Sequence, residues 1–171
     1  MPKLTKKALL KHLTKSDKED IIGEVMTLFD KFKNVKEFYG AELSGEVNPL
    51  LEKYKKKITQ AYSSANPKER RTNLNINRLI TEFKKITIYD RELSDLLLHR
   101  VECGVAAFNR NTNRSNTFYN CILNSFGEAI NTISSDSSES EFTERIEQII
   151  KSSASGKFEF QKRINELAKG I

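Results

Sequence analysis

Between Tyr89 and Ile133 apolar residues return at steps of three and four, interrupted once by a polar run. That rhythm puts them on one side of a helix and is incompatible with the alternation of a strand. The first stretch carries Leu93, Leu97, Val101, Gly104, Val105 and Phe108, widened by Leu96, Leu98 and Ala106. A stripe this broad predicts burial on more than one side. Asp90 stands where an N-cap would, and Glu92 and Asp95 add negative charge where the helix dipole favours it. Asn109 to Asn116 breaks the pattern, because Asn and Ser compete for backbone hydrogen bonds. A second stretch then carries Phe118, Tyr119, Ile122, Leu123, Phe126, Ala129, Ile130 and Ile133. The short connection predicts an antiparallel helical hairpin at the centre of the fold.

The same rhythm recurs on both sides. Thr5 is placed to cap a helix with Leu9, Leu10 and Leu13, and Leu4 with Leu9 forms a hydrophobic staple. Ser16 with Glu19 reads as a capping box opening a helix with Ile21, Ile22, Val25, Leu28, Phe29 and Phe32 on one face. Asn34 with Glu37 is a weaker version of the same signal, before Val35, Phe38, Tyr39 and Leu43. Asn48-Pro49 supplies an N-cap and first helical residue ahead of Leu50, Leu51, Tyr54 and Ile58.

Residues 62–72 read as a surface loop, and Asn73 as the start of a helix with Ile76, Leu79, Ile80 and Phe83. The serine-rich run 134–140 is too polar to bury and is expected to be the most mobile stretch. Ser138 with Glu141 caps a helix with Phe142, Ile146 and Ile149, and a last helix bears Phe158, Phe160, Ile164 and Leu167. The expectation is an all-α chain: a single domain over residues 1–171, with eight or nine amphipathic helices around the central hairpin. At 171 residues such a domain can bury a core without staples.

Composition narrows the function. No run approaches the ~18 apolar residues of a membrane helix, and the basic N-terminus has no apolar segment after it, so no secretory signal is expected. Cys103 and Cys121 are too few for a disulfide framework and read as reduced, buried thiols, so a cytoplasmic location is expected. The net charge of +6 is unevenly spread: residues 1–72 hold 16 Lys/Arg against 10 Asp/Glu, whereas the remainder is balanced.

Beyond these bounds, Asp95-Leu96-Leu97-Leu98-His99-Arg100-Val101-Glu102-Cys103-Gly104-Val105, with Phe118-Tyr119 and the spacing through Phe126 and Ile130, carries a resemblance. Lys3 to Lys6, Phe32 to Tyr39, and Gly156-Lys157-Phe158 add to it. The chain resembles a family of small bacterial proteins of about this length, filed as a domain of unknown function. The resemblance implies one all-helical domain and carries over no activity. An Asn-rich turn and a Ser-rich insertion before Ser138 depart from the family's pattern.

Catalytic signals are sparse. His12 and His99 lie in different helices with no metal-ligand spacing around them, so no metal and no cofactor are expected. Glycine-rich phosphate loops are missing. Cys103 and His99 are four apart, on one helix face, with Glu102 adjacent, which is the sequence shadow of a thiol site. The apolar stripe beside them reads more simply as a packed helix.

Two surfaces remain. A basic patch gathers Lys53, Lys55, Lys56 and Lys57 with Lys68, Arg70 and Arg71, suited to phosphate or to ordinary solvation. A polar rim around the hairpin gathers His99, Arg100, Glu102, Asn109, Arg110, Asn111, Asn113, Arg114 and Tyr119, suited to binding a backbone or anion, or to turn chemistry. The leading expectation is a non-enzymatic helical module that binds a protein partner or its own copy, without membrane or metal. The alternative is a nucleic-acid-associated protein using the basic N-terminal surplus; a thiol-dependent enzyme ranks third.

Overall fold

The computed structural model describes residues 5–43, 49–63, 69–111, 113–155 and 158–170. All regular structure among them is helical. Contacts gather in two units, Met1–Gly45 and Glu46–Ile171.

In the first unit, α1 (Lys6–Leu13), α2 (Lys18–Lys31) and α3 (Lys33–Leu43) follow one another with short breaks. Thr5 caps α1, its Oγ1 accepting from the Ala8 N–H at 3.2 Å. The Leu4 partner expected for a staple lies outside the described residues. The cap of α2 is Asp17 rather than Ser16: Asp17 Oδ1 accepts from the Asp20 N–H at 2.9 Å. Ser16 instead donates back to the His12 carbonyl. A carboxylate at the helix start gains from the dipole as well as the hydrogen bond, which favours Asp over Ser. His12 Nε2 meets Glu24 Oε1 at 3.0 Å and ties α1 to α2. Phe29 packs against Tyr39, with centroids 6.4 Å apart. Not one described side chain of this unit is buried.

The second unit holds α4 (Pro49–Ser63), α5 (Glu69–Lys84), α6 (Asp90–Arg110), α7 (Asn116–Asp136), α8 (Glu139–Ser152), a 3₁₀ turn (Ser153–Ser155) and α9 (Phe158–Ala168). The most extensive helix–helix contact is α6 with α7. Phe108 meets Tyr119 while Gly104 meets Ile122, so the partners run in opposite directions. The widened stripe of α6 is buried on several sides: Leu96, Leu97, Leu98 and Val101 are all fully enclosed. α4 packs on α6, α9 on α7, and α5 and α8 on both.

Further boundaries differ from the sequence reading: Asn34 lies inside α3, Tyr62 and Ser63 close α4, and Ser138 starts α8 without a side-chain cap bond. Glu69 to Thr72, expected in a loop, form the first turn of α5, and Asn73 is buried within that helix. Glu69 suits a first turn, and it is fixed there by Arg114 and the Ser115 N–H. The serine run is helical to Asp136 and stops at Ser137, whose φ of 53° is left-handed and whose N–H reaches the Ile133 carbonyl. Asp90 is the first residue of α6 rather than its cap, because Tyr89 occupies that position.

Candidate functional site

The spacing of Asp95, His99, Glu102 and Cys103 puts four polar side chains on one face of α6. α4 and α8 pack against α6 and supply their partners. His99 Nε2 lies 2.9 Å from Thr59 Oγ1 and 3.5 Å from Cys103 Sγ. Thr59 Oγ1 is 3.6 Å from the same sulfur and can donate to the Lys55 carbonyl at 3.1 Å. When it does, its oxygen is left to accept from the imidazole Nε2–H. On the other side of the ring, Nδ1 faces Glu102 Oε2 at 3.7 Å.

Arg145 of α8 holds the carboxylates. Its guanidinium donates to both Glu102 oxygens, at 2.5 and 2.9 Å, and to Asp95 Oδ1 at 2.5 Å. Asp95 also receives Lys55 Nζ at 2.8 Å, and Lys55 in turn meets Glu52 at 3.2 Å. Two-point contact between guanidinium and carboxylate fixes orientation as well as charge.

The titrations follow from this geometry. Burial opposes a charge on His99, but Cys103 and Glu102 overcome it and push the imidazole up to about 9. Burial likewise opposes charge on Glu102, while Arg145 and His99 bring its carboxyl down to about 2. Burial also works against the Arg145 guanidinium, and its two carboxylates raise it above the usual range. At neutral pH the cluster therefore presents an imidazolium whose two N–H groups face the Thr59–Cys103 pair on one side and Glu102 on the other. Cys103 is half-buried at its edge.

The remaining rim residues serve the fold. Arg100, expected at the surface, is only 4% exposed and donates to Asn77 Oδ1 at 2.8 Å. Tyr119, also expected there, is 5% exposed in an aromatic cluster with Phe108, Phe118 and Phe160. Both side chains project from the core-facing stripe of their helix, which the polar neighbours in sequence disguised. Arg114 spans the α6–α7 turn, donating to the Ala107 carbonyl at 3.1 Å and lying 5.2 Å over Phe118. Asn109 donates to the Ser152 carbonyl, Arg110 to the Tyr62 carbonyl, and the Asn113 N–H to Asn111 Oδ1.

The basic patch divides. Lys55 turns inward to Asp95 and is removed from it. Lys53, Lys56 and Lys57 are exposed on α4, Lys57 lying 5.1 Å over the Tyr54 ring. Arg70 and Arg71 are exposed at the start of α5, and Lys68 lies outside the described residues.

Sequence reasoning found His99, Glu102 and Cys103 but missed Thr59, Asp95 and Arg145. Thr59 and Arg145 stand 40 and 43 residues from the α6 groups they hold. Asp95 was legible, since it falls on the same helical face four residues before His99. Among the described residues, no group of three or more His, Cys, Asp or Glu is arranged to hold a metal ion. No described helix is long and apolar enough to cross a membrane.

Compared with known proteins, residues 4–170 match the model of a family described as a family of unknown function (DUF6155). No curated protein and no solved structure matches the chain.

Proposed function

We propose that this chain, which belongs to the DUF6155 family of unknown function, is a non-enzymatic helical protein-binding module whose partner is a second copy of itself. The observation that carries the reading is the apolar exposure of the first unit. Leu9 and Leu10 on α1, Ile22, Met26 and Leu28 along α2, and Phe32 just past its end are each between 45 and 65% exposed. No described side chain around them is buried.

An apolar face with no core behind it is costly to leave in water, at about 25 cal/mol per Å². Exposed apolar side chains gathered on one pair of helices mark a protein interface. The charge layout favours the chain's own copy. α1 carries Lys6, Lys7 and Lys11 with no acidic residue, whereas the first turn of α2 carries Glu19 and Asp20 beside Lys18. Positive charge on one helix and negative charge on the next can pair reciprocally across a two-fold axis, each meeting its opposite on the other copy.

Sedimentation equilibrium of the full chain tests the reading. The wild type is expected to associate, and Ile22→Glu with Met26→Glu is expected to release monomers that keep the wild-type helix content. A wild type that stays monomeric at every concentration overturns it.

A further inference from the structure

We propose that Cys103 is a peroxide-reactive thiol, held beside His99 and Thr59 where α4, α6 and α8 meet. Cys103 is half-buried and free, with sulfur 3.5 Å from His99 Nε2 and 3.6 Å from Thr59 Oγ1. The imidazole is oriented by Glu102, and Glu102 by the two-point grip of Arg145. Nucleophile, cationic partner and orienting acid are thus linked in that order, the arrangement by which enzymes and redox sensors make a sulfur reactive.

The polar groups around the sulfur come from several helices. α4 contributes Thr59, with Lys55 beyond it engaged by Asp95 and Glu52. α6 contributes His99 and Glu102, and α8 contributes Arg145, spent on the two carboxylates. The Tyr62 hydroxyl is buried nearby, and burial raises it against the opposing pull of Arg100, so it remains a neutral phenol. Among the described residues, the cation within hydrogen-bonding distance of the sulfur is the His99 imidazolium, while Arg100 and Cys121 act on the neighbouring Tyr62 hydroxyl.

The chemistry balances with hydrogen peroxide as oxidant. The Cys103 sulfur, reacting as its anion, attacks one peroxide oxygen and forms an S–O bond as the O–O bond breaks. Sulfur loses two electrons and becomes a sulfenic acid, while the departing hydroxide takes the Nε2 proton of His99 and leaves as water. His99 ends neutral. Thr59 remains to hydrogen-bond the product or the ring.

The reading predicts a reactivity that packing alone would not give. In full-length protein carrying Cys121→Ser, the rate of Cys103 alkylation by iodoacetamide at pH 6.5 is expected to exceed that of the same chain unfolded in guanidinium. His99→Gln is expected to slow the folded protein about tenfold at that pH, with less effect above pH 8.5, where an ordinary thiol ionises unaided. Hydrogen peroxide followed by dimedone should add one adduct, at Cys103. A folded chain that reacts more slowly than the unfolded one overturns the proposal, whatever the variant does. Fast labelling that His99→Gln leaves unchanged overturns the role given to His99.

Discussion

A Cβ on Gly104 would lie 2.7 Å from Ile122 Cδ1 and 2.8 Å from its Cγ1, so α6 and α7 approach through a place where only glycine fits. Ile122 is fully buried. Glycine inside a helix costs about 1 kcal/mol relative to alanine, and here close packing offsets that cost. Gly104→Ala should regain the propensity but overpack the seam, at about 1–3 kcal/mol. The larger effect wins. A net loss of about 1 kcal/mol is expected, read as a lower urea midpoint with an unchanged slope.

Arg145 bridges two carboxylates, Asp95 and Glu102, that stand two turns apart on one face of α6. Arg145→Met keeps much of the side-chain volume and removes the charge. The three groups are partly exposed, which lowers the cost below that of a fully buried pair. A loss of about 1–3 kcal/mol is expected. Arg91→Met, at the outer Arg91–Glu141 pair, is the comparison and should cost less than about 1 kcal/mol. Equal effects would show that the inner network contributes no more than a surface pair.

The same network sets a dependence on pH. His99 is raised from 6.5 to about 9 in the folded chain, so the native state holds a proton that the unfolded state has lost between those values. Its contribution is complete below pH 6.5 and disappears as pH rises through about 9. Glu102 runs the other way: lowered from 4.5 to about 2, it contributes above pH 4.5 and is lost as pH falls toward 2. Urea midpoints measured from pH 6 to 9 should decline in the wild type. In His99→Gln the decline should be shallower.

Periodicity made most of the fold readable, because apolar stripes such as that of Leu93 to Phe108 must be buried wherever they fold. Helix starts were less readable: Asp17 outcompeted Ser16 one position away, and both are good caps in isolation. Asn73 looked like a boundary residue, but Glu69 and Arg114 extend α5 backwards past it. Of the site, the α6 face could be read from its spacing. Thr59 and Arg145 could not, since nothing local reveals which helix will pack on which. The exposure of Ile22 and Met26 was equally hidden, because an amphipathic pattern looks the same whether or not a partner covers it.

The self-association reading is tested most directly by hydrogen exchange along α2, followed as protein concentration is raised. If a second copy covers this helix, the amides between Lys18 and Lys31 should slow with concentration while those at the exposed start of α5 do not. Exchange in α2 that stays equally fast at every concentration would contradict the account.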